Sequence, residues 1–208
     1  GESLYDIAKR LGMYKGSLKT DPIAAKLSGE VFTLNYIPIR EKDVAGERPS
    51  IRRAMAASKG EVRLLRFSDP QGKEAYTRTA QFVIFLALRQ LWPQARAKMN
   101  CTLGASVYFQ VMGAEEFSVT ELKRKMQDLV RQDIPLIRRR VPLQEAMERY
   151  RADGQTDKAR LLAWRKEEYF DEYAYGDFAD YYYGEMMPST GYLTVWDMIP
   201  ADGGVVFV

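Results

Sequence analysis

A helical spacing of apolar residues is strongest between residues 78 and 92. Apolar side chains recur there three and four residues apart, and Pro93 follows, which cannot continue a helix. The pattern predicts the longest helix of the chain. A further helix is predicted after Ser118, where Ser-Val-Thr-Glu has the form of a capping box and apolar residues follow at helical spacing.

The first 70 residues combine one short helical pattern with several short strand patterns. The helical pattern begins at Ser3, which can cap it. Strand patterns occupy residues 22–27, 31–34 and 61–67. Residues 41–60 are predicted to form a long surface excursion. Residues 68–72 are rich in turn formers and end this unit. We therefore predict a small α+β module over residues 1–70 and a second domain over residues 71–208.

Strand patterns return in the second part of the chain, between predicted helices. They occupy residues 98–101, 106–111, 135–141, 169–183 and 191–196. Pro142 and Thr156 stand where two shorter helices are predicted to begin. The mixture of helices and strands predicts the α+β fold class.

The composition excludes several classes of chemistry. Among 208 residues there is no histidine and one cysteine, Cys101. Zinc fingers, His-based zinc hydrolase sites and Ser-His-Asp or Cys-His pairs are therefore excluded, and we predict no metal site. We expect Cys101 to be a buried thiol on a strand.

The cysteine content and the hydropathy also bear on location. One cysteine cannot form an internal disulfide framework, and no stretch resembles a signal peptide. The longest uninterrupted apolar run, residues 82–88, is too short to span a bilayer. We therefore expect a cytoplasmic protein without a membrane partner.

Charge is distributed unevenly along the chain. The formal net charge is +3, yet residues 167–208 contain acidic residues and no Lys or Arg, so all 31 basic residues precede them. A basic body of this kind can attract phosphate groups. The alternative interpretation is a set of ordinary solvated faces of alternating sign.

Several segments occur in the order that is typical of threonyl-tRNA synthetases. The opening, GESLYDIAKRL with DPIAAKLSGEVFTL, resembles the later part of a TGS module, a small ubiquitin-like (β-grasp) unit, without its first strands. The segments YTRTAQFVIFLALRQLWPQARAKMNCTLGASVYFQV, TDKARLL and ADYYYGEMMPSTGYL resemble the second additional domain that follows TGS in those enzymes. The resemblance implies a β-grasp module followed by a threonyl/alanyl-tRNA synthetase editing-like α+β domain, with an antiparallel sheet and a long central helix.

In that family the second domain hydrolyses mischarged tRNA with a His-x-x-x-His pair and a Cys-x-x-x-His pair. The matching positions, aligned through the Leu-Trp-Pro motif and through Gly184, are Arg78, Phe82, Tyr182 and Met186. These residues supply neither the imidazoles nor the thiol of the family. The resemblance therefore implies an editing-like fold with a degenerate editing site.

The run DYYYGEMMPSTGYL, residues 180–193, most resembles bacterial nucleoside kinases of the uridine-kinase type, in which TGS and this domain precede a P-loop kinase domain. The chain itself has no P-loop, because none of its 15 glycines begins a Gly-x-x-x-x-Gly-Lys-Ser/Thr motif. The start at Gly1 and the apolar end predict a piece of a longer protein. We expect a C-terminal P-loop kinase domain as partner, with ATP and Mg²⁺ bound there and no cofactor in this chain.

The function expected from this resemblance is a non-catalytic accessory or regulatory region that binds a nucleoside, a nucleotide or RNA. The candidate ligand-binding cleft combines the former editing positions with nearby polar residues: Arg78, Phe82, Asp180, Tyr182, Met186, Ser189 and Thr190. On a strand, Tyr182 would point away from its two tyrosine neighbours and could stack on a base. Core and edge aromatics without a ligand are the alternative, and Phe82 and Met186 favour a filled cleft.

Candidate phosphate or RNA contacts are Arg138, Arg139 and Arg140 on a predicted strand. Alternation along the strand separates Arg139 from the other two, and a charged edge strand is the commoner explanation. Two rival functions remain beside the accessory role. One is an aminoacyl-tRNA editing-type hydrolase with chemistry rebuilt on Asp180, Tyr182 and Arg78, and the other is a stand-alone RNA-binding module.

Overall fold

The computed structural model describes residues 2–27, 29–37, 61–103 and 106–208, and the chain divides into two compact units. Unit 1 comprises residues 1–136 and 184–208, and unit 2 comprises residues 137–183. The predicted module boundary at residue 70 lies inside unit 1 and stays a prediction. The predicted excursion at 41–60 lies outside the described residues.

Unit 1 contains two antiparallel sheets and the helices that pack beside them. Its elements are α1 (Leu4–Arg10), β1 (Ala24–Leu27), β2 (Glu30–Phe32), β3 (Arg63–Leu65), α2 (Pro70–Leu91), β4 (Arg96–Leu103), β5 (Ser106–Met112), α3 (Val119–Arg131), a 3₁₀ turn (Thr190–Tyr192), β9 (Met198–Ala201) and β10 (Gly204–Phe207). Unit 2 is a smaller β-α-α-β-β arrangement. Its elements are β6 (Arg138–Pro142), α4 (Leu143–Ala152), α5 (Thr156–Ala163), β7 (Tyr169–Tyr175) and β8 (Phe178–Asp180).

The small sheet of unit 1 has the strand order β2-β1-β3 and follows α1. Helix α1 begins as predicted, because the Ser3 side chain accepts from the Asp6 amide and the Asp6 side chain accepts from the Ser3 amide. Leu4 on this helix packs with Ala25 and Leu34 in one apolar cluster. The predicted helix and strands of this region are therefore confirmed within the described residues.

Helix α2 is longer than its apolar pattern predicts. It begins at Pro70, so the predicted turn at 68–72 is in fact the start of the helix. Proline fits there because the first turn of a helix needs no amide donor. The buried face includes Phe82, Ile84 and Leu86, and the helix ends at Leu91 before Pro93, as predicted.

The larger sheet of unit 1 has the order β4-β5-β10-β9, with all neighbours antiparallel. A register shift interrupts β4 between Met99 and Cys101, and the Cys101 thiol is exposed, so its predicted burial is wrong. The predicted strand at 191–196 is also wrong. Its start is a 3₁₀ turn, which the Leu193 amide closes by donating to the Thr190 carbonyl at 3.1 Å.

Unit 2 encloses a core of its own. Its sheet has the order β6-β7-β8, and Tyr150, Leu162 and Phe170 are buried together from α4, α5 and β7. The predicted strand at 169–183 is interrupted after β7, where Gly176 adopts a φ of 55°, and it ends at Asp180. The α+β fold class with antiparallel sheets is confirmed. Among the described residues no helix has the length and apolar character needed to cross a bilayer.

Candidate nucleic-acid interface

The former editing positions in unit 1 are packed with side chains. Arg78 and Phe82 lie one turn apart on α2, and Phe82 and Met186 are both 0% exposed. The chain at residues 185–187 runs beside this turn, because the Thr79 hydroxyl accepts from the Met187 amide at 2.9 Å. The apolar side chains at these positions therefore fill the site, in agreement with their residue types.

Arg78 has a structural partner. Its Nε donates to the Glu185 carbonyl at 3.0 Å, and its guanidinium lies 3.5 Å from Glu74. Gly184, with a φ of 104°, lies against the same guanidinium, since a Cβ there would come within 2.9 Å of Arg78 Cζ. The arginine is thus enclosed by protein groups, which leaves little of it for a phosphate.

The predicted hydroxyl donors Ser189 and Thr190 are also committed within unit 1. Thr190 Oγ1 donates to the Leu129 carbonyl at 2.6 Å and accepts from the Ile134 amide at 2.9 Å. The Ser189 hydroxyl donates to Asp133 Oδ1. Both side chains are buried, so they hold the chain between α3 and the 3₁₀ turn in place.

Asp180 and Tyr182 lie in the interior of unit 2. Asp180 Oδ1 accepts from Lys158 Nζ and from the Tyr181 amide, the latter at 2.7 Å. Burial raises the pKa of Tyr182 well above its usual value, and the charge of Asp180 raises it further. A buried neutral phenol in this position is inaccessible for stacking on a base. Of its two tyrosine neighbours, Tyr183 is exposed and Tyr181 is partly buried against the core of unit 2.

The three consecutive arginines of β6 contact acidic or aromatic neighbours in unit 2. Arg138 pairs with Asp171 at 3.3 Å, and Arg139 pairs with Glu172 at 2.7 Å. The Arg140 guanidinium lies 4.8 Å from the centre of the Tyr169 ring. Their positive charge is therefore largely balanced inside the unit, and they do not form one continuous patch.

Unit 2 contains an arginine, Arg165, that contacts Tyr181 and is hydrogen-bonded to Tyr183, and the exposed Trp164 precedes it in the sequence. We name Trp164, Arg165, Tyr181 and Tyr183 the aromatic–arginine surface. Trp164 is 84% exposed and Tyr183 is 76% exposed, among the highest values for large side chains in the described part of the chain. Rings this exposed leave much of their apolar area in water, where a stacked base could cover it.

Arg165 holds the tyrosines of this surface in place. Its Nη2 donates to the Tyr181 hydroxyl at 2.6 Å, and its guanidinium lies 5.0 Å from the centre of that ring. The Tyr181 and Tyr183 rings meet edge to face, with their centres 4.6 Å apart. Aromatic side chains fixed in this way lose little further freedom when a ligand binds.

Hydrogen bonding on this surface shifts the pKa values of two tyrosines in opposite directions. Burial raises the pKa of Tyr181 to about 12, and donation of its proton toward Tyr183 raises it as well. The pKa of Tyr183 is lowered, first by the hydrogen bond from Tyr181 and then by that from Arg165. Arg165 remains protonated, because these bonds outweigh the effect of its partial burial and raise its pKa.

Basic residues flank the exposed tryptophan. Arg160 and Leu161 lie one turn before Trp164 on α5, and Lys166 follows shortly after. The sequence signal that locates this surface is a tryptophan followed directly by Arg-Lys, at the end of the basic body. Within the described residues no group of three or more acidic or cysteine side chains gathers to hold a metal ion.

Comparison with known proteins bears directly on the function of this chain. No protein-family model matches it. The threonine–tRNA ligase of Desulforamulus reducens is 26% identical over 197 residues, which cover 93% of this chain and 28% of that protein. The threonine–tRNA ligase of Listeria welshimeri is 25% identical over 207 residues, covering 98% of this chain and 29% of that protein.

Over most of its length, this chain is similar to threonine–tRNA ligases. A third relative, the threonine–tRNA ligase of Clostridium kluyveri, is 27% identical over 197 residues, covering 92% of this chain and 27% of that protein. The chain thus spans less than a third of the length of the curated relatives it matches. The expected P-loop kinase domain as partner is wrong, because these relatives are tRNA ligases, and the nucleoside-kinase and ATP-binding expectations have no support.

Proposed function

We propose that this threonyl-tRNA synthetase-like chain binds tRNA and that the aromatic–arginine surface of unit 2 contacts unpaired nucleotides. The observation that carries the proposal is the exposed Tyr183 ring held by Arg165 and Tyr181, with the exposed Trp164 next to Arg165 in the sequence. Similarity to threonine–tRNA ligases over most of the chain supports tRNA as the nucleic acid. A cytoplasmic location suits this role and is part of the proposal.

The physical basis of recognition is stacking combined with charge. A base stacked on an aromatic side chain contributes about 1–3 kcal/mol, and every base offers a ring face for it. Arg165 adds a fixed positive charge, and Arg160 and Lys166 beside it can neutralise phosphates. Binding of this kind favours single-stranded segments such as an end or a loop over a continuous duplex.

Binding without hydrolysis is the form of the proposal that the local geometry favours. The family's imidazole positions carry Arg78, Phe82 and Met186, of which the last two are fully buried apolar side chains. Tyr182, at the thiol position, has a pKa raised by burial, so its phenol keeps its proton and is not available as a general base. The similarity to tRNA ligases nonetheless favours aminoacyl-tRNA hydrolysis as a second candidate. Turnover of mischarged tRNA by the 208-residue chain, lost in Asp180→Asn, would support that candidate.

A tRNA titration tests the binding proposal. We expect binding that weakens at least about tenfold between 50 and 200 mM salt, because neutralised phosphates release counterions. Trp164→Ala and Tyr183→Ala should each weaken binding by about tenfold, which corresponds to one lost stacking contact. Tyr175→Ala, which removes a partly exposed tyrosine from the same unit, is the matched control and should leave the affinity within twofold.

Two outcomes would contradict the binding proposal. One is the absence of tRNA binding at low salt. The other is binding that Trp164→Ala and Tyr183→Ala leave unchanged while arginine variants elsewhere reduce it, since tRNA would then contact another surface.

A further inference from the structure

Unit 1 contains a pocket with three tyrosines in its wall. The pocket has a volume of about 260 Å³, and Tyr5, Tyr14 and Tyr192 line it. Each pair of rings meets at a steep angle, with centres 5.0 Å apart for Tyr5 and Tyr14 and 6.3 Å apart for Tyr14 and Tyr192. The three rings contact one another edge to face along the pocket lining and do not stack face to face.

Hydrogen bonds fix two of these rings. The Tyr192 hydroxyl donates to the Tyr14 hydroxyl at 3.1 Å, and the Tyr14 hydroxyl donates to the Pro22 carbonyl at 2.9 Å. Burial raises the pKa of both tyrosines, so their hydroxyl groups keep their protons at ordinary pH. The pocket is therefore preorganised before any ligand arrives.

Both charged residues that line the pocket are acidic. Asp21 and Asp133 line the pocket, and among the described residues no Lys or Arg belongs to its wall. Asp21 accepts from the amides of residues 15–17 and is held rigidly by them. Asp21 is buried, whereas Asp133 is exposed, so Asp133 is the carboxylate that a ligand can reach, and its Oδ1 also accepts from the Ser189 hydroxyl.

The backbone conformation of Asp133 and a neighbouring glycine fix the position of its carboxylate. Asp133 has a φ of 49°, a left-handed conformation that non-glycine residues rarely adopt. Gly191 lies opposite, where a Cβ would come within 2.3 Å of Asp133 Oδ1. A residue held in a rare conformation with a glycine cleared for its carboxylate indicates that the surrounding structure specifies its placement.

We propose that this tyrosine pocket binds a small organic ammonium ion, with Asp133 as its counter-ion and the rings of Tyr5, Tyr14 and Tyr192 around its alkyl groups. Ring faces attract cations, and walls of several aromatic residues with a carboxylate are suited to alkylammonium groups. Phosphate and other anions are disfavoured by the two carboxylates.

Choline and its neutral isostere 3,3-dimethyl-1-butanol provide the test, because they share a shape and differ in charge. Calorimetric titration of the 208-residue chain should give a choline dissociation constant of about 1 mM or tighter, and binding of the alcohol at least about tenfold weaker. Equal binding of the two, no choline binding up to about 50 mM, or binding of inorganic phosphate in its place would overturn the proposal. This comparison uses the unmodified chain, so it does not depend on the folding of any variant.

Variants locate the site within the chain. Asp133→Asn removes the charge and keeps the shape, and Tyr192→Leu removes a ring, so each should weaken choline binding by about fivefold. Tyr175→Leu, which removes an exposed ring outside the pocket, is the matched control and should stay within about twofold. Unchanged choline affinity in both Asp133→Asn and Tyr192→Leu would contradict this location. The pocket belongs to unit 1, so failure of the tRNA proposal leaves this test unaffected.

Discussion

Glu172 and Arg139 form an ion pair across the β6–β7 ladder, with Nη2 and Oε1 2.7 Å apart and the Glu172 side chain 0% exposed. The second Glu172 oxygen accepts from Arg149 on α4. One buried carboxylate thus connects the sheet of unit 2 to its first helix. A charge in this position requires its partners, because an ion buried without them is costly.

We predict that Glu172→Gln lowers the free energy of unfolding by about 2 kcal/mol. Removing one partner of a buried pair costs about 3–5 kcal/mol, and the partial exposure of both arginines reduces this value. Chemical denaturation would measure the change. Glu148→Gln, on the exposed side of α4, should change stability by less than about 0.5 kcal/mol. Equal losses of unfolding free energy in the two variants would show that the buried ion pair stabilises the unit no more than an exposed carboxylate does.

Gly72→Ala is expected to destabilise unit 1. A Cβ at this position would lie 2.0 Å from the Arg66 carbonyl oxygen, so the start of α2 would have to shift against the end of the small sheet. We expect a loss of about 2 kcal/mol or more in the free energy of unfolding, since backbone shifts from overpacking cost about 1–3 kcal/mol. Gln71→Ala, the neighbouring control, should leave the free energy of unfolding nearly unchanged. An equal loss in this control would show that any substitution at the start of α2 destabilises the unit.

The Tyr150 hydroxyl is buried and has no hydrogen-bond partner among the described residues. Burial is the main cause that raises the pKa of this phenol, with Asp180 and Glu172 adding to it. We predict that Tyr150→Phe leaves the free energy of unfolding unchanged or increases it by about 1 kcal/mol, because an unsatisfied polar group is removed. Tyr150→Leu should instead lower it through lost ring packing. A large loss in Tyr150→Phe, measured by thermal denaturation, would reveal a hydrogen bond in solution.

The stability of unit 1 should depend on pH through Asp21. Burial alone would raise the pKa of this carboxyl, but hydrogen bonds from the Lys15 amide, the Thr20 hydroxyl and the amides of Ser17 and Gly16 more than offset it, so the pKa is lowered. A lowered pKa means that Asp21 contributes stability above its unfolded value of 3.8, and that this contribution is lost as the pH falls through the lowered pKa.

We therefore expect the unfolding free energy of the unmodified chain to fall more steeply below about pH 4 than that of Asp21→Asn. Denaturation curves at several pH values between about 2 and 6 measure this difference. Parallel pH profiles for the two proteins would contradict the role of Asp21.

Arg165 should control the titration of the aromatic–arginine surface. Tyr183 is the acceptor of bonds from Tyr181 and Arg165, and its pKa is lowered by them, while the pKa of Tyr181 is raised to about 12. Ultraviolet titration should therefore show one phenol ionising below its usual range, and Arg165→Leu should return it toward about 10. Arg160→Leu is the control, because it removes a basic residue that lies outside this hydrogen-bond network. Because the hydrogen bond from Tyr181 is the larger cause, an early ionisation that persists in both Arg165→Leu and Tyr181→Phe would assign it to another tyrosine.

Local patterns in the sequence determined several elements of the fold. The capping sequence at Ser3 and the proline after Trp92 act within one or two turns of chain, so the ends of α1 and α2 could be predicted from them. The absence of histidine likewise excludes imidazole chemistry from the composition alone. These conclusions depend on covalent geometry and composition, which do not change with tertiary contacts.

Tertiary contacts decided which candidate side chains reach solvent. Strand alternation places Tyr182 opposite its neighbours, yet its burial and the exposure of Tyr183 depend on which side of unit 2 the core occupies. Cys101 is exposed because a register shift interrupts β4 at the edge of its sheet, and periodicity does not reveal such shifts. The sequence predicts a ligand-binding hydroxyl at Thr190, whereas its hydrogen bonds to Leu129 and Ile134 join residues about sixty positions apart and commit it to the fold. The sequence by itself thus determined element types and excluded chemistry, whereas long-range packing and hydrogen bonding decided which residues are available to bind.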